Sequence, residues 1–168
     1  MTPERRLLQH ALAAVAYRVQ KALRGASASF PAFSAGERVR SPVEILRHMT
    51  SVLGYARTFF VGGSYPLHPE PLRTFEAEVD RFHATLAALS RELEAGTPLR
   101  QISETQLLQG PLADVLTHAG QLALLRRLAG EPVPPENFLF ADVRADRLGP
   151  DQPPPARPDT VWPERPPS

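Results

Sequence analysis

The chain contains no cysteine, so neither a disulfide nor a thiolate ligand is available to it. Any metal ion would have to be held by imidazole, carboxylate, backbone or water. Lysine occurs once, at Lys21, against 18 arginines, and asparagine occurs once, at Asn137. Neither sign of charge is in excess: 19 basic and 18 acidic residues leave a net charge of +1, with no basic cluster interleaved with aromatics. That balance removes the long-range field that would draw the protein to nucleic acid or to anionic lipid. No apolar run approaches the roughly 20 residues needed to span a bilayer. The stretch Met1-Thr2-Pro3-Glu4-Arg5-Arg6 has no secretory layout, so the expectation is a cytoplasmic protein with no nucleic-acid and no membrane partner. There is no phosphate-binding Gly loop, no dinucleotide fingerprint and no GxSxG, and Ser90 and Ser103 have no base at readable spacing. Nucleotide and nucleophilic-triad chemistry therefore find no support.

What is present fits one soluble globular domain. The 168 residues suffice for a single core, and 42% hydrophobic and 22% charged residues are ordinary values. Prolines number 19, which, with few thermolabile amides, suits a heat-tolerant protein; a GC-rich genome produces the same bias.

Punctuation marks four helices. Thr2-Pro3-Glu4 reads as a cap, with a helix to about Leu23 whose buried face is Leu8, Leu12, Val15, Val19 and Ala22. Ser41-Pro42-Val43-Glu44 is a capping box opening a second helix to about Phe60, stopped by Gly62-Gly63. A third runs from about Glu70 to Glu94, and Gly110-Pro111 opens a fourth that ends near Gly130. Residues 137–143 read as a short strand or a helical turn. Residues 150–168 hold eight prolines and should be extended or polyproline-like. The fold class is therefore all-α, a four-helix bundle over residues 1–148, followed by a Pro-rich C-terminal extension over 149–168. The connections are long enough to permit a crossover.

Three helical seams step by three, then four. Leu72-Phe75-Val79-Phe82-Leu86-Leu89-Leu93 is wholly apolar. Ile45-His48-Val52-Tyr55-Phe59 and Asp114-His118-Gln121-Leu125-Leu128 carry polar residues where leucines are expected. Asp114 and His118, at i and i+4, share one helix face and can chelate one ion, with His48 completing the set from a facing helix. Two imidazoles and a carboxylate suit zinc, nickel, iron(II) or manganese. Gln121 is placed to orient a ligand. Tyr55, on the seam of His48, is a candidate for contacting substrate, with core packing as the alternative. His83 is a candidate for flanking the site, with a partly exposed helix histidine as the alternative. The competing account of the whole set is a hydrogen-bond network buried in the core. Arg144 and Arg147 are candidates for the mouth of a pocket taking an anionic substrate, or else plain surface charges.

The stretch from Gly110 to Gly130, with Asp114, His118 and Gly120-Gln121, resembles the fourth helix of DinB/YfiT-like proteins, and the lone His48 after a capped start resembles their second. The resemblance implies a four-helix bundle with a crossover and a metal site formed by one histidine of the second helix and an HxxxH pair of the fourth. His48 and His118 match the first and last ligands. Asp114 stands where the family usually has the first histidine of the pair, which preserves a donor and changes its charge. The resemblance further implies metal-dependent chemistry on a small-molecule substrate, with a low-molecular-weight thiol as a possible cofactor, transferase or isomerase in type. Hydrolysis is the second reading, and family members are often homodimers. A non-enzymatic, stress-associated or interaction bundle is the rival class.

Overall fold

The computed structural model describes residues 1–163. Among them no β-strand forms, and the chain is built from α1 (Pro3–Leu23), α2 (Pro42–Val61), α3 (Phe75–Glu94), α4 (Glu104–Leu107) and α5 (Ala113–Leu128). A π-helical turn, Leu108–Leu112, joins α4 to α5, so these two act as one rod.

Local signals explain where each helix starts. The Thr2 hydroxyl accepts the Arg5 N–H, and Pro3 supplies the first helical residue. At Ser41 the backbone N–H donates to the Glu44 carboxylate at 2.7 Å, closing the capping box of α2. Gly62, at φ 78°, ends that helix in a backbone conformation that side chains disfavour. α3 starts at Phe75 and not near Glu70. Pro71 disfavours helical backbone just before it, the Leu72 N–H is taken by the Glu78 carboxylate at 2.9 Å, and the Thr74 hydroxyl caps Ala77.

Gly110-Pro111 does not open the last helix. Helical backbone already begins at Glu104, behind a second capping box of Ser103 and Gln106. Pro111 lies inside the π-helical turn. A proline inside a regular α-helix loses one hydrogen bond and clashes with the carbonyl four residues earlier. The wider π turn relieves both problems. Residues Phe138–Phe140 form a 3-10 turn, with the Asn137 side chain accepting from Leu139 N–H.

Side-chain pairs give the topology. Arg47 meets Glu78 and Arg57 meets Glu92, so α2 and α3 run parallel. Arg5 meets Glu104 and Arg126 reaches the Gly25 carbonyl, so α1 and the α4–α5 rod also run parallel. Gln9 of α1 reaches Ser90 of α3, which sets the two pairs antiparallel to each other. Around the bundle the neighbours are α1–α5, α5–α2, α2–α3 and α3–α1, which places α1 diagonal to α2. The connection between the parallel α2 and α3 must therefore run back along the bundle. It does so over α2: the Ser51 hydroxyl donates to the Pro66 carbonyl, and the Tyr65 ring fills the space where a Cβ on Gly54 would sit.

The core contains Leu8, Leu12, Val15, Val19 and Ala22 of α1, as the pattern predicts, and Phe82, Leu86, Leu89 and Leu93 of α3. On α2 the buried row is Ile45, Leu46, Met49, Leu53, Ala56 and Phe60, one residue away from most of the predicted seam. On α5 it is Val115, His118, Ala119, Leu122 and Leu125. His48 and Asp114 consequently stand at the edge of the core, not inside it.

Residues after α5 fold back over α1. Tyr17 donates to the Glu136 carboxylate at 2.7 Å, and Lys21 pairs with the other oxygen at 3.1 Å, with the Glu136 side chain fully buried. Arg18 stacks over Phe138 at 3.7 Å. In the Pro-rich segment, Arg24 donates to the Gln152 and Pro153 carbonyls, and Asp159 N–H donates to the Pro135 carbonyl. Its described part is irregular, without helix, and covers the bundle at these points.

His83 was expected to flank the candidate site. It is instead buried beneath this segment, its Nδ1–H donating to the Leu148 carbonyl at 2.7 Å. Its Nε2 is buried without a partner, and its ring packs edge-on against Phe82. Burial lowers the pKa of this imidazole, against smaller opposing effects of the Leu148 hydrogen bond and Asp80.

Two outcomes follow from this docking. Glu136→Ala strands Lys21 in a mostly buried position and should cost about 3 kcal/mol in urea unfolding, whereas Glu136→Gln, which keeps an acceptor for Tyr17, should cost less. For His83 the unfolded chain takes up a proton more readily than the native one. Its contribution is intact above the ordinary histidine pKa of about 6.5 and is lost as pH falls below it. Between about pH 7 and 5, wild-type stability should drop more steeply than that of His83→Gln, which retains a donor for Leu148; equal slopes would refute the assignment.

Candidate metal centre

His48 lies in the second turn of α2, fixed by the capping box at Ser41 and Glu44. Asp114 and His118 lie one turn apart at the start of α5, so their side chains share a face. Antiparallel packing of α2 on α5 sets the two faces opposite each other. The His48 and His118 rings meet edge to face, with centroids 4.8 Å apart. Asp114 lies within reach of both: its Oδ2 is 3.8 Å from His48 Nε2 and its Oδ1 is 3.5 Å from His118 Nε2. One ligand atom from each of the three residues lies within 4.8 Å of the others.

Those separations bear on both readings of the cluster. Imidazole–carboxylate hydrogen bonds run to about 3.2 Å, so neither histidine bonds Asp114 directly. Two ligand atoms about 2.1 Å from a shared tetrahedral ion are about 3.4 Å apart. The His118–Asp114 separation matches that value, the His48–Asp114 separation exceeds it by a few tenths of an ångström, and the three ligand atoms together span up to 4.8 Å, so the side chains would have to draw closer around one ion. The cluster can hold a metal ion.

Gln121 lies one turn along α5 from His118. Its Oε1 lies 2.7 Å from His118 Nδ1. An amide oxygen only accepts, so Nδ1 carries the proton and Nε2 presents its lone pair towards Asp114 and His48. His48 is biased the same way by a different route. Burial, then the positive charge of Arg40, then His118, lower its pKa and favour the neutral ring; Asp114 opposes them. Burial thus favours the neutral ring at His48, and Gln121 determines which nitrogen of a neutral His118 is left to bind an ion.

Exposure is graded across the cluster. The His118 side chain is 9% exposed, His48 24% and Asp114 46%. A sealed core network is therefore not what the residues form. An open cleft of about 360 Å³ has His48 in its wall, on the side away from Asp114 and His118, which do not line it.

Tyr55 does not join the cluster. It is 55% exposed and packs on Phe59 with ring centroids 4.9 Å apart. The displaced core row of α2 turns position 55 outward, against both substrate contact and core packing. Arg144 pairs with Asp146 and Arg147 with Asp142, which makes them surface charges and not pocket residues. Arg40 and His68, both in the wall of the cleft beside His48, were not singled out from the sequence. Arg40 is in the loop before a cap and His68 lies between prolines, and no periodicity connects either to position 48.

Comparison of the chain with family models, with curated proteins and with solved structures finds no match. The tautomer of His118 can be read directly. Long-range proton–nitrogen spectra should show His118 as the Nδ1–H form in the wild type. Gln121→Ala should move it towards the Nε2–H form; an unchanged tautomer would mean that Gln121 does not orient the ring.

Proposed function

We propose that the protein is a metal-dependent enzyme of the DinB/YfiT-like class, in which His48, Asp114 and His118 hold a divalent ion of zinc, nickel, iron or manganese. The observation that carries this reading is the convergence of two imidazoles and a carboxylate within 4.8 Å, with both Asp114–His separations longer than a hydrogen bond and near the spacing of ligands on one ion. The family assignment is supported by an all-helical bundle with a crossover, a lone histidine in α2, and Asp114, His118 and Gln121 in register on α5. Three protein donors leave coordination positions open, the arrangement of catalytic sites and not of closed structural ones.

A divalent ion, when bound, supplies Lewis acidity that lowers the pKa of a thiol or a water near neutral pH. The chain's own residues do the rest. Gln121 holds His118 in the donor tautomer, Arg40 and burial keep His48 neutral, and the exposed side of Asp114 leaves an approach from solvent. Since the chain has no cysteine, a nucleophilic sulfur must arrive on a low-molecular-weight thiol. Transfer of that sulfur to a small electrophile is the first reading, and hydrolysis is the second. The exposed leucines Leu124 and Leu128 of α5 support a homodimer as part of the same proposal.

A second reading, a bundle whose ion serves only stability, is favoured by one feature. The donors come from α2 and α5, which are distant in sequence, so an ion between them would cross-link the bundle.

Elemental analysis of untagged protein tests the site itself. The wild type, after incubation with zinc, nickel or manganese, should carry about one ion per chain, and His48→Ala should lose it. No ion in the wild type, or full occupancy in the variant, would overturn the assignment. Ion content without turnover, alongside a melting temperature that falls on chelation, would favour the second reading.

A further inference from the structure

On the side of α5 turned away from His118, a second cavity of about 320 Å³ lies between α1, α5 and the docked segment around Glu136. Lys21, the single lysine of the chain, stands in its wall beside Glu136. The Lys21 side chain is only 10% exposed, an uncommon place for an ammonium group. Its ion-pair partner is Glu136 Oε2 at 3.1 Å, and its Nζ lies 4.9 Å from the centre of the Phe138 ring. The other Glu136 oxygen accepts from the Tyr17 hydroxyl at 2.7 Å, which fixes the carboxylate in place. Burial is the largest influence on Lys21 and lowers its pKa; Glu136 opposes it, Arg18 adds to it, and Asp159 opposes it more weakly.

An ion pair that only docks a segment needs no open space beside it. Here the α5 wall is Leu116, Ala119, Gly120 and Ala123, and a Cβ on Gly120 would meet nothing within 4 Å. The charged lining of the cavity is Arg18, Lys21 and Arg127 against Glu136, so cations predominate. Arg18 stands over the same Phe138 ring as Lys21, its guanidinium 3.7 Å from the ring centre. A desolvated amine, a carboxylate within reach of its proton and an apolar-walled space with a second cation are what imine formation with an anionic carbonyl compound requires.

We propose that Lys21 is a covalent binding site for a small carbonyl compound bearing a carboxylate, held in this cavity as an imine with its carboxylate towards Arg18. Glu136 takes one proton from the Lys21 ammonium, and the freed Nζ lone pair attacks the carbonyl carbon. A second nitrogen proton passes to the resulting alkoxide, giving a carbinolamine. Glu136 then returns its proton to that hydroxyl, the C–O bond breaks, water leaves, and the nitrogen lone pair forms the protonated C=N bond. Ammonium and carbonyl become iminium and water, Glu136 is regenerated, and no oxidant or reductant takes part. The inference is independent of the metal centre.

The test is reductive trapping on the full-length protein with levulinate and cyanoborohydride, followed by peptide mapping. The amino-terminal amine serves as the reference within each sample. Lys21 should be trapped about tenfold faster in the native protein than in the guanidinium-unfolded chain, because the cavity holds the carbonyl compound next to the amine. Levulinate should be favoured over its methyl ester, and Arg18→Gln should remove that preference. Gly120→Leu places its side chain in the open space and improves helix propensity. It should keep the wild-type circular dichroism and lose the accelerated trapping. Protection of Lys21 in the native protein, equal trapping of acid and ester, or undiminished trapping in Gly120→Leu would each overturn the proposal.

Discussion

Helices α2 and α5 pack against each other along an apolar seam, and that contact sets the register in which His48 faces Asp114 and His118. A slip of one helical turn, about 5.4 Å, would exceed every separation within the cluster. The connections on either side make the register hard to change. The segment after α2 is tied back onto it at Ser51 and by Tyr65 over Gly54, and it is tied to α3 at Glu78. The α4–α5 rod is tied to α1 at both ends, through Arg5 and Arg126. Crossing connections that look wasteful in a small bundle thus hold two distant stretches of sequence in one geometry.

Within that register, position at the rim of the core decides the chemistry. His118 and His83 solve the same problem at Nδ1, each donating to a fixed oxygen, and differ in what surrounds Nε2. For His83 that nitrogen is enclosed, so the residue serves to dock the segment around Leu148. For His118 it faces a carboxylate and a second imidazole beside solvent. A nitrogen oriented by a neighbour and open enough to be reached is what a small ligand requires; full burial would have given stability alone.

Much of this was legible in the sequence, and the failures have identifiable causes. The starts of α1 and α2, the ends of the long helices and the apolar faces of α1 and α3 follow from caps, glycines and spacing. On α2, however, the rows through Ile45 and Val52 and through Leu46, Met49 and Leu53 are both apolar. An apolar stripe more than about 100° wide does not reveal its own centre. The row that the structure buries lies one residue from the seam that the spacing predicts, and Tyr55 turns outward. Proline is favoured at the first position of a helix, so the sequence alone places a helix start at Pro111. A π-helical turn that absorbs a proline has no comparable signature. Asp114, His118 and Gln121 were legible because they sit within two turns of one helix, and His48 because it is a polar residue in an apolar stretch. Arg40 and His68 belong to loops, where position is set by tertiary contacts alone.

Asp114 is the residue that most distinguishes this cluster from the pair of histidines that the resemblance would place on the last helix. Physically the exchange changes two things. A carboxylate carries a full negative charge, so it reduces the positive charge of a site holding a divalent ion and makes it more hospitable to harder ions than a set of three imidazoles. It also offers two oxygens, and the structure directs one towards each histidine, Oδ2 to His48 and Oδ1 to His118. A single shift of the carboxylate can therefore favour either partner or a shared ion without moving a helix.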